Sequence, residues 1–109
     1  MPESRKQYWI IATTEDESRR ADLESRQEQL AHEHHAYIDS LNEKGILLIH
    51  GAARDELGAR AGTGYIVFEA ATRLEAEAIA VKEPYIANGF RTLQLIPWQA
   101  RLGRAAQPR

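Results

Sequence analysis

From Ser18 to Lys44 the chain contains neither glycine nor proline and is dense in Glu, Gln, Ala, Leu and Arg. These are mostly strong helix formers, and nothing in the stretch interrupts a helix. Leu30, Tyr37, Ile38 and Leu41 recur at three- and four-residue intervals, which places them on one helical face. Gly45 follows where helices commonly end, since glycine reaches positive φ without a Cβ clash. The pattern predicts one long helix, and Thr14 and Glu17, three apart, give a capping-box signature at its approach.

Strand-like segments surround this helix. Tyr8-Trp9-Ile10-Ile11-Ala12-Thr13 is aromatic and β-branched, the composition of a first strand. Ile46 to His50 is a short continuous apolar run, as in a strand buried on both faces. Gly51 to Gly64, with Gly58 and Gly62 between them, reads as an irregular hairpin connection, and Tyr65 to Glu69 as a third strand. Thr72 and Glu75 form a second capping box, with Leu74, Ala78, Ile79 and Val81 at helical spacing behind it. Pro84 ends that helix, because the residue before a proline avoids the α region. Asn88-Gly89 signals a turn, Phe90 to Trp98 a fourth strand, and Ala100 to Arg109 a frayed tail. The order β-α-β-β-α-β is the split βαβ arrangement of a ferredoxin-like α+β sandwich.

A length of 109 residues fits one domain over 1–109, with its core over about 7–99 and a flexible tail over 100–109. Fourteen Lys and Arg against sixteen Asp and Glu leave a formal net charge of −2, which excludes a bulk electrostatic nucleic-acid binder. Arg91, Arg101, Arg104 and Arg109 follow Pro84 with no acid among them. They read as a solvated basic end, with an anion or RNA contact as the minority reading. Cysteine is absent, so a disulfide scaffold, a Cys-ligated metal site and a thiol nucleophile are all excluded. No apolar run approaches the ~20 residues of a membrane span. Met1-Pro2-Glu3-Ser4-Arg5-Lys6 leads into a strand-like run and not a secretory apolar core, so the expected setting is cytoplasmic.

Two helices cover only one face of a four-stranded sheet, yet the first three strands are apolar on both. Trp9 and Ile11 alternate with Tyr8 and Ile10, and Ile66 and Phe68 with Tyr65 and Val67. The uncovered face calls for a partner, and a homodimer packed sheet to sheet is the simplest closed solution.

Three of the four histidines lie in His32-Glu33-His34-His35. His32 and His35 are three apart, but no third ligand stands at a matching offset, so a solvated face is favoured over a metal site. His34 differs in phase. It follows Leu30 by four residues and precedes Tyr37 and Ile38 by three and four, so it belongs to the apolar face. There it is either a hydrogen-bonded core histidine or a general acid/base over a pocket. Glu83 sits at an element junction just before Pro84, either as an ordinary surface acid or as a functional carboxylate. Both helices of this fold pack on one sheet face, so His34 and Glu83 can meet, and such a pair would fix the imidazole tautomer. Tyr85 and Asn88 are candidates to line a pocket beside Glu83, Tyr85 also reading as a packing aromatic. Gly58, Gly62 and Gly64 match no phosphate-binding loop, and no serine lies in a nucleophile-elbow sequence.

From Tyr8 to Trp98 the chain resembles the YCII-related family of small dimeric α/β-barrel proteins. The likeness rests on His34 followed by Tyr37, Ile38, Leu41 and Gly45-Ile46-Leu47; on His50-Gly51; and on Glu83-Pro84-Tyr85 followed by Asn88-Gly89. The resemblance implies a His–Asp pair at a pocket rim in each subunit. His34 matches the histidine, and Glu83 takes the aspartate's place on an arm one methylene longer. His34 and Glu83 are thus the catalytic candidates, with Tyr37, His50, Tyr85 and Asn88 as substrate-binding candidates. The implied chemistry is that of a lyase or isomerase: proton transfer or elimination on small hydroxylated rings or lactones, including dehydrochlorination of chlorinated hydroxyquinols, with neither metal nor organic cofactor. The alternative is a non-catalytic homodimeric domain that binds a small ligand or a protein partner, with His34 as a structural hydrogen-bonder.

Overall fold

The structure, a computed structural model, describes residues 7–106. Its elements are β1 (Tyr8–Glu15), α1 (Arg20–Glu43), β2 (Leu47–Arg54), β3 (Arg60–Glu69), α2 (Arg73–Ala80), α3 (Pro84–Ala87) and β4 (Arg91–Trp98). Short 3-10 turns at Glu17–Arg19 and Arg104–Ala106 flank them. The strands form one antiparallel sheet in the order β2-β3-β1-β4, the ferredoxin-like α+β arrangement expected from the element order.

Period-two alternation sets the two sheet faces. Trp9, Ile11 and Thr13 of β1 are buried and pair with Phe68, Ile66 and Gly64 of β3. On the other side of β1 the same residues pair with Pro97, Leu95 and Leu93. Ile38 and Leu41 of α1 and Ala76 and Ala80 of α2 close over this face to form the main core. Leu30, Tyr85 and Phe90 make a second, smaller cluster near the start of α1. The opposite face carries Tyr8, Ile10, Val67, Ile96 and Trp98 by the same alternation.

Three local expectations are corrected. Thr14 and Glu17 do not cap α1: β1 runs on to Glu15, and Asp16 caps the 3-10 turn Glu17–Arg19 that leads into α1, accepting from the Ser18 N–H and hydroxyl at 3.1 and 2.6 Å. The Gly51–Gly64 segment is mostly ladder. Its turn is confined to the residues around Asp55, whose Oδ1 accepts from the Leu57 and Ala59 N–H groups. The buried face of α2 is Ala76 and Ala80, with Ile79 beside them, while Leu74 stays 77% exposed and Val81 and Ala78 are exposed as well. Small side chains let this short helix lie close to the sheet. The second capping box does form, with the Glu75 N–H donating to Thr72 Oγ1 at 3.2 Å. Of the expected tail, residues 107–109 lie outside the described residues, as does the segment 1–6.

Candidate functional site

The chain of events that places Glu83 starts with helix termini. After α2 ends at Ala80, Pro84 opens α3 at the helix position where its missing N–H costs nothing. Glu83 becomes the cap of that turn, and its Oε2 accepts from the Ile86 N–H at 3.0 Å. This bond turns the side chain inward, where it is almost wholly buried. His34 lies on the inner face of α1, one turn after Leu30, and its Nδ1 stands 2.8 Å from Glu83 Oε1. A carboxylate only accepts, so Nδ1 carries the proton of this bond, and in the neutral imidazole Nε2 is the nitrogen with the lone pair. Nε2 has no hydrogen-bond partner among the described residues, and the imidazole remains 24% exposed at a cavity wall.

That cavity, of about 320 Å³, lies between the inner side of α1, the α3 turn and the β2–β3 end of the sheet. The volume suits a single substituted ring. His34, Glu83, Tyr85 and His50 all line it. Tyr85 is buried beside the imidazole, ring centroids 5.5 Å apart, and its hydroxyl accepts from Gln27 Nε2 at 3.2 Å. His50 stands exposed on β2, opposite Ile66 of β3, at the rim. His35 also faces this space, 6.0 Å from the His34 ring. Among the described residues no three His, Asp or Glu side chains converge on a point that could hold a metal ion.

Two of the expected binding residues point elsewhere. The Tyr37 hydroxyl donates to the Ile79 carbonyl at 2.7 Å, tying α1 to α2 away from the cavity. Burial, and secondarily the Glu83 charge, pushes that hydroxyl well above its ordinary pKa, so it stays a neutral donor. Asn88 closes α3: its Nδ2 donates to the Pro84 carbonyl at 2.7 Å, while Oδ1 and the backbone carbonyl accept from Arg26 and Arg19. Both residues hold the frame around the pair and do not line the cavity.

One cavity residue was hidden in the sequence. Arg91 does not belong to a solvated basic end; it opens β4 on the inner face, in register with Glu15, and its guanidinium carbon lies 4.3 Å from the Tyr85 ring centroid. The alternation of Arg91 with Leu93 and Leu95 was the available signal.

Among curated proteins, no sequence matches this chain. A solved structure does: the 5-chloro-2-hydroxyhydroquinone dehydrochlorinase (TftG) from Burkholderia phenoliruptrix AC1100, in complex with 2,5-dihydroxybenzoquinone. It aligns at a TM-score of 0.61 and 17% identity, over 90% of this chain and 97% of its own, and this shows a shared fold. The sequence model of the YCII-related domain matches residues 7–99, nearly the whole of the described structure. With strands, helices and the His34 segment all inside that match, the chain belongs to the YCII-related domain family.

Proposed function

We propose that this protein is a small-molecule lyase or isomerase in which His34 is the general acid/base and Glu83 orients it. The observation that carries the reading is the 2.8 Å contact between His34 Nδ1 and a buried carboxylate, which leaves Nε2 free at the wall of a ring-sized cavity. Glu83 keeps the imidazole in one tautomer and one orientation, the arrangement a proton-transfer base requires. Glu83, standing where the resemblance implies an aspartate, reaches both His34 and the Ile86 N–H from the α3 turn.

The dehydrochlorinase name of the structural neighbour supports elimination as the reaction class. On a chlorinated hydroxyquinol, a proton moves from a ring hydroxyl to the chlorine-bearing carbon, giving a ketone tautomer. Loss of a second hydroxyl proton then forms another C=O bond and expels chloride with the C–Cl electron pair. The products are a hydroxybenzoquinone, one proton and one chloride. Both proton movements suit one imidazole that alternates between acid and base, and the balance needs no external oxidant. The proposal includes a homodimer joined through the open sheet face and a cytoplasmic setting.

The test is chloride release from 5-chloro-2-hydroxyhydroquinone, followed by proton exchange on small lactones and hydroxyquinols. His34→Ala should lower turnover by about 100-fold or more while circular dichroism and thermal unfolding stay those of a folded protein. Turnover unchanged in His34→Ala would end this reading. A native protein that binds rings and turns none of them over would be a ligand-binding domain instead.

A further inference from the structure

Among the described residues Arg91 forms no ion pair. Its Nε is buried and makes no hydrogen bond, and no carboxylate among the described residues lies within 4.0 Å of its guanidinium. Glu15, its cross-strand neighbour, lines the same cavity but forms no ion pair with it. Glu83 is engaged by His34 and the Ile86 N–H. A half-buried guanidinium with an unused donor is an expensive arrangement unless an acceptor arrives to complete it.

The surroundings fix the group in place. The guanidinium stacks on the Tyr85 ring at 4.3 Å, and Tyr85 meets the His34 imidazole on its own account at 5.5 Å. Gly64 of β3 leaves room for it, because a Cβ there would stand 3.3 Å from Arg91 Nη1 and 3.2 Å from Thr13 Oγ1. Arg54, His35 and His50 line the same space, so Glu15 is the one acid there not already bonded to a protein donor among the described residues. Arginine is the side chain that suits a planar anion, since its donors form a rigid fork.

We propose that Arg91 is the anion-binding residue of this cavity and selects planar rings that carry an ionised oxygen, holding that oxygen while the ring lies within reach of His34 Nε2. This rests on the reading of the His34 cavity as the substrate site, and it narrows the substrate class from hydroxylated rings or lactones to acidic ones: phenolates and vinylogous carboxylates.

Two probes of equal ring size separate the claim from simple cavity filling. 2,5-Dihydroxybenzoquinone is a vinylogous acid, ionised at neutral pH, whereas hydroquinone is uncharged. Calorimetric titration under argon should find the native protein binding the anion at least tenfold more tightly. Arg91→Met should weaken the anion by about 10- to 100-fold and hydroquinone by less than about threefold. In the native protein the Arg91 Nε–H resonance, assigned by its loss in Arg91→Lys, should shift on adding the anion and not on adding hydroquinone. This measurement stands even if Arg91→Met fails to fold. Equal affinity of the native protein for both probes, binding of neither, or an unmoved Nε–H resonance would overturn the assignment. The parent reading is judged separately by chloride release. A native protein that prefers the anion through Arg91 but releases no chloride fails the reaction and keeps Arg91. One whose turnover and KM are unchanged in Arg91→Met keeps the reaction and loses Arg91.

Discussion

Glu83 commits its two carboxylate oxygens to two different donors, the His34 imidazole and the Ile86 N–H. Glutamine has the same shape but only one accepting oxygen, so Glu83→Gln must give up one of these bonds or turn the imidazole round. If the amide donates to Nδ1, the ring proton moves to Nε2 and the base is lost. The expected outcome is a 15N spectrum of His34 showing Nε2 protonated, and turnover lower by about 100-fold, within the range for a misplaced acid/base group. Stability should fall by about 1–3 kcal/mol, because one buried partner is left unsatisfied. A second residue-scale prediction concerns Gly64. In Gly64→Ala the new methyl presses on Arg91 Nη1 and Thr13 Oγ1, and Arg91 is the side chain able to move. Anion binding should weaken while the fold persists, measurable in the same calorimetric titration. The phase of His34 was legible in the sequence because helical spacing alone sets it. The burial of Glu83 was not, since it depends on a four-residue helix too short to leave a periodic signal. Arg91 was misread because counting charges along the chain ignores the two faces of a strand.

At the scale of elements, the helical layer is fastened by Tyr37, whose hydroxyl joins α1 to the last turn of α2. Tyr37→Phe leaves the Ile79 carbonyl without this donor and should cost about 1 kcal/mol in urea unfolding at neutral pH. The pH dependence has a definite sign. Burial and the Glu83 charge raise the folded-state pKa of this hydroxyl above its ordinary 10.0. Its contribution is therefore fully present below about pH 10 and is lost as pH rises toward the folded value. The stability difference between native and Tyr37→Phe should be flat from pH 7 to 9 and shrink above 10; a flat difference to pH 11.5 would remove Tyr37 from the account. The same clamp explains why α2 was read on the wrong face. Leu74, Ala78, Ile79 and Val81 satisfy helical spacing, but the contact is made through Ala76 and Ala80, which bring the helix axis close to the sheet. Periodicity ranks apolar residues by size, whereas close packing here selects small ones. The β2–β3 arms were likewise hidden by their glycines. Gly51 and Gly64 sit inside the ladder, opposite Tyr65 and Ala52, while a single aspartate, Asp55, closes the turn.

For the whole molecule, the β-α-β-β-α-β order leaves one layer of helices on one face of the sheet and none, among the described residues, on the other. Ile49 is 62% exposed and Trp98 42%, at opposite edges of a face whose middle holds Ile10 and Ile96. Pairing two copies about a two-fold axis would bury such an apolar face without any further element. The elution of a homodimer is therefore expected, with equilibrium sedimentation giving twice the 12.3 kDa chain mass at micromolar concentration. Ile49→Lys combined with Trp98→Lys places like charges on the contact while leaving the helix-covered core untouched. That variant should sediment as a monomer with unchanged secondary structure. Its chloride release then separates two roles for the pairing. The residues of one chain already wall the His34 cavity on the helical side and at the β2–β3 end. If that wall is sufficient, the monomeric variant keeps turnover within about threefold of native, as expected for a change outside the acid/base machinery. A native protein that sediments as a monomer at every concentration would show instead that the open face serves a different partner.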